Sequence, residues 1–247
     1  MIAIIDYGMG NLRSVEKGFL KVGVEVKVTN RPEDVFNAGG VVLPGVGAFK
    51  DCMRELTNLK LVDAVADVIR QGKPYLGICL GLQVLFSESE EFGRCRGLDV
   101  LRGKVVKFDF GRKNDMNSSF PRKRESRTSE LDSPVKPEND IIKLCNLKVP
   151  HMGWNALNIK QNDNPLFAGI PDQSYFYFVH SYYVAPEEAS VISTTTDYGI
   201  EFTSSVRKDN IFAVQFHPEK SQTLGLQVLK NFGDIVKISR QQSVVVG

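Results

Sequence analysis

The stretch Lys73-Pro-Tyr-Leu-Gly-Ile-Cys-Leu-Gly-Leu-Gln-Val-Leu-Phe86 decides the fold. Its apolar run, residues 74–78, is long enough for a buried strand and too short for a helix. The residues that follow suit a helix packed on that strand. Cys79 therefore lies at the joint, where Gly77 and Gly81 flank it in the Gly-x-nucleophile-x-Gly pattern of a nucleophile elbow, with cysteine in place of serine.

A cysteine in such a turn has the surroundings of a nucleophile. The turn brings backbone against backbone, so it excludes bulky side chains on either flank. It also places the sulfur of Cys79 at a helix N-terminus, where the helix dipole favours the thiolate. The backbone N–H of Leu80 then points to where an oxyanion would form. On this stretch alone a buried structural cysteine between two turn glycines remains an alternative.

A second stretch, residues 210–221, contains the sequence Gln-Phe-His-Pro-Glu-Lys-Ser. Residues 211–216 predict a strand, and His217 and Glu219 follow at its end. Because positions i and i+2 of an extended chain share a face, His217 can act as a base while Glu219 orients its imidazole. Pro218 prevents a helix and is expected to keep the segment extended.

Together these stretches resemble those of class I, triad-type glutamine amidotransferases. More narrowly, the chain is similar to the glutaminase subunits of imidazole glycerol phosphate synthase, an enzyme of histidine biosynthesis. Further motifs occur in the expected order and span nearly the whole chain apart from one insert: Asp6-Tyr-Gly-Met-Gly-Asn11, Leu43-Pro-Gly-Val-Gly-Ala-Phe49, Pro150-His-Met-Gly-Trp-Asn155, Tyr177-Phe-Val-His-Ser-Tyr182 and His217-Pro-Glu-Lys-Ser-Gln222.

The resemblance implies a three-layer α/β/α fold with a central, mostly parallel sheet, formed as one domain by residues 1–247. It also implies hydrolysis of L-glutamine to glutamate and ammonia through a thioester, with Cys79, His217 and Glu219 as the catalytic triad. The implied oxyanion donors are the N–H groups of Leu80 and Val46, the latter once a peptide turns over. The implied glutamine contacts are Gly47, Gln83, Glu91, Ser181 and Tyr182.

A partner subunit follows from the same resemblance. Ammonia would pass through an internal channel to a (β/α)8 cyclase subunit in a heterodimer, so that a hydrolase becomes part of a lyase. The implied interface residues are Asn11, Met152, Trp154 and Lys220. The sequence itself has no Walker-type loop or other phosphate cradle for a sugar-phosphate acceptor, which agrees with an acceptor site on another chain.

Two other functions remain open. One is a paralogous glutaminase that feeds a different synthase, for example in surface-sugar amidination. The other is a non-enzymatic regulatory relative, against which the intact set of Cys79, His217 and Glu219 argues. His180 is the alternative base, but no carboxylate stands two positions after it.

Composition excludes several classes of function. A net charge of +2 gives no electrostatic case for nucleic acid or an anionic membrane, and no apolar run is long enough to span a bilayer. The N-terminus lacks the basic region of a signal peptide, and the four cysteines show no CxxC spacing, so we expect reduced thiols in a cytoplasmic protein. We predict no metal and no cofactor; after Gly8 and Gly10, Arg13 replaces the third glycine of a dinucleotide fingerprint.

The composition changes sharply at residues 111–140, which contain seven Lys or Arg and six Asp or Glu. Such a segment cannot bury enough apolar surface to offset the entropy of ordering, so we predict a passive, disordered insert. Elsewhere we expect one helix over residues 56–71 and a helix from Leu80 to the acidic run at residues 88–91. Residues 241–247 are expected to form a loose tail.

Overall fold

The computed structural model describes residues 1–110 and 147–245. The insert predicted at residues 111–140 lies outside the described residues. None of the helices in these two ranges is long and apolar enough to cross a membrane.

A block of parallel strands carries the nucleophile elbow. In spatial order it consists of β2 (Val26–Thr29), β1 (Ile2–Ile5), β3 (Gly40–Gly45), β4 (Tyr75–Cys79) and β14 (Ile211–Val214). The residues of β1, β3, β4 and β14 are buried throughout. Continuous burial is typical of parallel strands that are covered by helices on both faces.

Antiparallel strands extend this block into a 12-stranded mixed sheet. Beyond β14 come β13 (Glu201–Lys208), β11 (Tyr182–Pro186), β7 (Leu101–Lys107), β5 (Phe86–Ser89) and β6 (Cys95–Arg96), and β12 (Ile192–Asp197) and β9 (Asn158–Ile159) branch from β13. Of these pairs, β5 and β7 run parallel. A separate antiparallel ribbon is formed by β8 (His151–Ala156) and β10 (Tyr175–His180).

Helices cover both faces of the parallel block. On one face lie α1 (Leu12–Lys21) and the long helix α6 (Gln222–Val245), and on the other lie α2 (Pro32–Asn37), α3 (Phe49–Asn58) and α4 (Leu61–Arg70). Successive residues of β1 separate the two cores: Ile4 packs in one with Phe19 and Phe232, whereas Ile5 packs in the other with Val65. The predicted three-layer α/β/α fold is confirmed.

Three local predictions were wrong. Residues 56–71 do not form one helix, because Lys60 adopts a left-handed conformation (φ 57°) between α3 and α4. The helix after the elbow, α5 (Leu80–Gln83), is short, since the next residues pair with β7 as strand β5. The expected loose tail is helical to Val245, and no glycine or proline interrupts α6 after Gly233.

Candidate active site

The turn from β4 to α5 has the geometry of a nucleophile elbow. Cys79 has φ 54° and ψ −102°, a conformation that a non-glycine residue rarely adopts. A Cβ atom on Gly77 would lie 2.4 Å from the carbonyl oxygen of Gly81, and one on Gly81 would lie 1.8 Å from that of Leu43. Both glycines are therefore required by close backbone contacts, as the sequence predicted.

The neighbouring strand brings the second part of the site to Cys79. Strands β4 and β14 are parallel and in register, with Ile78 opposite Val214, so their carboxyl ends lie side by side. His217 follows β14, and its backbone N–H donates to the carbonyl oxygen of Tyr177 over 2.9 Å. Pro218 does not extend the strand; it begins a short 3-10 turn, Pro218–Lys220, that returns Glu219 toward the histidine ring.

His217 and Glu219 form a buried pair. Nδ1–H of His217 donates to Oε1 of Glu219 over 2.8 Å, and the two side chains are 3% and 2% exposed. A carboxylate can only accept a hydrogen bond, so Nδ1 of His217 must carry a proton. Nε2 of His217 is buried and has no hydrogen-bond partner among the described residues. It is thus the ring atom left for a reacting group.

The charge state of His217 is set by its neighbours. Burial alone would lower its pKa, but the negative charges of Cys79 and Glu219 outweigh burial and raise the pKa to about 10. The imidazole is therefore held protonated at neutral pH beside the cysteine. Such a pair can supply a thiolate nucleophile and a general acid from adjacent side chains.

A cavity of about 410 Å³ opens at Cys79, within the size range of small-molecule sites. It brings together the residues that the family resemblance implies for the oxyanion and for glutamine. Its lining includes Val46, Gly47, Leu80, Gln83, Glu91, Ser181, Tyr182 and Lys220. The buried pair of His217 and Glu219 is not part of this lining.

The turn after β3 forms one wall of the cavity. Gly45 pairs with Cys79 across the sheet, and the next residue, Val46, lines the cavity together with Cys79. Gly47 has φ +100°, a conformation that favours glycine, and Val46 is 37% exposed. On another wall, Oε2 of Glu91 accepts a 2.7 Å bond from the backbone N–H of Phe49, at the start of α3. Glu91 therefore also stabilises a helix terminus.

Sequence reasoning missed Gln215. Its side-chain Nε2 donates to Sγ of Cys79 over 3.5 Å, and its Oε1 accepts from Nε2 of Gln83 over 3.1 Å. Gln83 also donates to the carbonyl oxygen of Tyr182 over 3.1 Å. Gln215 stands in the quoted motif, two positions before His217, and lies just beyond the end of β14.

The structure disfavours His180 as the base. Its Nδ1–H donates to the carbonyl oxygen of Tyr182 over 2.8 Å, so its Nε2 must accept from Nδ1–H of His151, 3.0 Å away. Both ring nitrogens are thereby occupied. Burial lowers the pKa of His180 to about 3, and the ring stays neutral at neutral pH. His180 has a structural place in the cavity wall.

An exposed apolar face lies beside the cavity, on the ribbon of β8 and β10. Met152, Trp154 and Tyr175 are 61%, 46% and 60% exposed. Trp154 packs edge-on against Tyr177 at 6.1 Å between ring centroids, and Nζ of Lys220 lies 5.7 Å from the centre of the Tyr177 ring. The predicted interface residues Met152, Trp154 and Lys220 thus lie together, and sequence reasoning missed the two tyrosines. The fourth, Asn11, is exposed at the start of α1.

Comparison with known proteins gives matches over nearly the whole chain. The family model of glutamine amidotransferase class-I matches residues 3–235. Imidazole glycerol phosphate synthase subunit HisH of Syntrophotalea carbinolica is 50% identical over 235 residues, covering 95% of this chain and 100% of that protein. The protein of the same name from Geobacter sulfurreducens is 49% identical, covering 95% and 98%.

Solved structures share the fold at much lower identity. PurLQS from Thermotoga maritima has a TM-score of 0.62 and 15% identity, covering 98% of both chains. The glutaminase domain of CTPS from Trypanosoma brucei, with bound acivicin, has a TM-score of 0.57 and 16% identity, covering 97% of this chain and 93% of that one.

Proposed function

The chain belongs to the class I glutamine amidotransferase family, and we propose that it is the glutaminase subunit of an imidazole glycerol phosphate synthase in histidine biosynthesis. It hydrolyses L-glutamine to glutamate and ammonia. Relatives with the name of that subunit, about half identical over nearly the full length of both chains, support this assignment. A regulatory relative without activity is disfavoured because Cys79, His217 and Glu219 are all in place.

One observation carries the chemistry. The elbow presents Cys79 beside a histidine whose Nδ1 is bound to Glu219 and whose Nε2 is buried without a partner among the described residues. Burying a polar atom without a hydrogen-bond partner costs free energy, and one explanation for such an atom is a role in catalysis. We propose that Nε2 of His217 binds the leaving ammonia first and the attacking water afterwards.

The reaction follows from these positions. The thiolate of Cys79 attacks the side-chain amide carbon of glutamine, and the N–H groups of Leu80 and Val46 stabilise the tetrahedral oxyanion. Nε2–H of His217 protonates the departing nitrogen, which leaves as ammonia. The neutral ring then takes a proton from water, which cleaves the thioester and releases glutamate. Glu219 holds the ring orientation in both steps.

The cavity walls supply the contacts for an amino acid. One oxygen of Glu91 is held by the Phe49 N–H, and we assign the other to the α-amino group of glutamine. We assign the α-carboxylate to Ser181 and Tyr182, and further contacts to Gly47 and Gln83. These charged ends would direct the amide of the substrate toward Cys79.

The ammonia has a separate destination in this proposal. The exposed face of Met152, Trp154 and Tyr175, with Lys220 beside it, is the surface that we assign to a cyclase subunit. Aromatic and methionine side chains are enriched in protein interfaces, and the cavity opens next to this face. The two subunits would form a heterodimer in the cytoplasm, with ammonia passing internally between the two sites.

The test measures glutamate release by the purified chain, alone and with the cyclase subunit of its own organism plus the ribonucleotide substrate. Cys79→Ala is the blank. We expect low activity alone and a large, Cys79-dependent rise in the mixture. The absence of a rise with a cyclase that is competent on free ammonia would contradict the proposed synthase.

A surface variant extends the same assay to the assigned interface. Trp154→Ala should weaken binding of the cyclase at least about tenfold, as for a central aromatic residue of an interface. Ile238→Ala is the matched control, since Ile238 is also exposed (55%) but lies on α6. Equal cyclase affinity of the two variants would place the docking surface elsewhere.

A further inference from the structure

We propose that Gln215 is a positioning residue for the Cys79 thiolate and that Gln83 acts on the nucleophile through it. The proposal rests on the proposed glutaminase function and adds a device to that same site. It concerns a continuous chain of hydrogen bonds that joins the sulfur to the wall of the substrate cavity. In this chain, Nε2 of Gln215 lies 3.5 Å from Sγ of Cys79.

The Tyr182 carbonyl oxygen, at the end of this hydrogen-bond chain, determines which group donates in each of its bonds. The carbonyl oxygen of Tyr182 can only accept, so the Gln83 atom that faces it, 3.1 Å away, is the amide nitrogen. The same nitrogen faces the Gln215 side chain at 3.1 Å, which requires an oxygen there. The remaining atom of the Gln215 amide, the nitrogen, must then face Cys79. The sulfur of Cys79 therefore accepts a hydrogen bond from Gln215 and does not face the Gln215 oxygen.

The anchor of this chain is itself fixed. The Tyr182 carbonyl oxygen accepts from Gln83 and also from Nδ1 of His180, 2.8 Å away, which occupies both lone pairs. His180 in turn is bound to His151. Two donors on one carbonyl oxygen restrict its movement, because a peptide rotation that releases Gln83 would also disturb the bond to His180. The position of the Gln215 amide is thus set by the cavity wall.

Burial restricts the movement of this hydrogen-bond chain and strengthens its bonds. Gln215 is 0% exposed and Gln83 is 4% exposed, so water does not compete for their amides. The backbone N–H of Gln215 also donates to the carbonyl oxygen of Ser204 over 2.8 Å, which fixes the start of its side chain. In such surroundings a hydrogen bond to an anion is stronger than one between neutral groups.

The chemical consequence concerns the charge and direction of the sulfur. A donor at 3.5 Å stabilises the thiolate relative to the thiol and restricts where the sulfur can lie in front of the cavity. Gln215 is thereby a second stabilising neighbour of the thiolate, in addition to protonated His217. Gln83, which the family resemblance assigned to glutamine, has its amide nitrogen committed to this chain. Its Oε1 is left for the glutamine contact, and its effect on the nucleophile would be exerted through Gln215.

The first experiment measures alkylation of Cys79 by iodoacetamide as a function of pH, together with kcat and KM for glutamine. Gln215→Met keeps the length of the side chain and removes the donor. We expect the alkylation rate at pH 7 and kcat to fall about tenfold to a hundredfold, as for loss of a hydrogen bond to a charged group. The pH dependence of alkylation should move to alkaline values, and KM should change little.

The matched control is Asn231→Leu, which removes another buried amide. Nδ2 of Asn231, on α6 and away from Cys79, donates to the carbonyl oxygens of Leu166 and Ala168. The control should lower the free energy of unfolding without moving the alkylation profile. If Gln215→Met behaves in the same way, with an unchanged profile, Gln215 is only a structural residue and the proposal is wrong.

A double-mutant cycle tests the role given to Gln83. Gln83→Met should shift the alkylation profile in the same direction as Gln215→Met. The double variant should lose no more than the larger single effect, because both residues act through one bond to sulfur. Additive losses would overturn the proposal. Failure of the glutaminase function is a separate outcome, since the wild-type protein would then release no more glutamate than Cys79→Ala, whatever the alkylation profiles.

Discussion

Nδ1 of His217 lies 2.8 Å from Oε1 of Glu219, and a short 3-10 turn between them keeps both side chains almost fully buried. The pair is close in sequence as well as in space, because one turn returns Glu219 to the ring of His217. With Nδ1 committed, Nε2 is the ring atom without a partner among the described residues. This relationship determines what the site can do, because the bond from Nδ1 fixes the orientation of the ring while Nε2 transfers a proton to and from the reacting groups.

Removing the charge of Glu219 tests that relationship. Glu219→Gln keeps an oxygen that can accept from Nδ1–H of His217 but removes a negative charge that raises the pKa of the ring. We expect kcat for glutamate release, measured with the partner subunit, to fall by roughly a hundredfold to ten-thousandfold. Glu187→Gln is the control, since Glu187 is outside the cavity lining. Equal kcat values for the two variants would remove Glu219 from the mechanism.

The three histidines of the chain should have different charges at neutral pH. The pKa of His217 is raised to about 10, so its ring stays protonated below that pH, whereas burial lowers the pKa values of His151 and His180 to about 4 and about 3, so these rings are neutral. An NMR titration of the ring resonances, assigned with His217→Asn, should show one protonated histidine at pH 7.

The same titration has a second arm. In Cys79→Ala the pKa of His217 should fall, because a neighbouring negative charge that helps to outweigh burial is gone. An unchanged His217 titration in Cys79→Ala would show that the two side chains do not interact as a charged pair.

The elbow should tolerate no side chain at Gly81. In Gly81→Ala the new Cβ would lie 1.8 Å from the Leu43 carbonyl oxygen, so the turn must deform. We expect glutaminase activity to be lost together with more than about 3 kcal/mol of stability. Gly72→Ala is the matched control. Gly72 has open space where a Cβ would lie, and its positive φ (+73°) is the only obstacle to alanine, so the cost should be about 1 kcal/mol with activity retained. Urea denaturation and glutamate release measure both effects, and similar losses in the two variants would contradict the packing argument.

Deleting residues 112–138 should leave glutaminase activity within about twofold of the intact chain, because loop length has a small effect on stability where the flanking residues are already close. The flanks do lie together, since Phe110 and Leu147 line one cavity. Glutamate release and thermal unfolding of the deletion variant, joined by a short glycine-serine linker, provide the check. A large loss of activity in a folded deletion variant would give these residues a function.

The site was easier to predict from the sequence than some of the elements around it. Cys79 was assigned to a strand-to-helix joint because glycines two positions before and after it, Gly77 and Gly81, indicate a tight turn with close backbone contacts. Local patterns failed where distant pairing decided the structure: residues 86–89 follow a short helix but pair with β7 as a strand. The left-handed Lys60 that separates α3 from α4 had no glycine or proline to reveal it.

Long-range side-chain contacts were also beyond sequence reasoning. Gln83 and Gln215 are far apart in the chain, and their hydrogen bond depends on the pairing of β4 with β14, which brings the ends of both strands together. Likewise, nothing in the local sequence shows that one oxygen of Glu91 is held by the Phe49 N–H. The motif quoted around His217 contained Gln215, but its role required the neighbouring strand.

The most direct test of the central claim is covalent labelling with a diazoketone analogue of glutamine, followed by peptide mapping by mass spectrometry. Our account predicts one adduct per chain, on Cys79, that forms in step with the loss of glutaminase activity and is slowed by glutamine. His217→Asn should react much more slowly. Complete loss of activity with Cys79 unmodified, or a stoichiometric adduct on another residue, would contradict the assignment of Cys79 as the nucleophile.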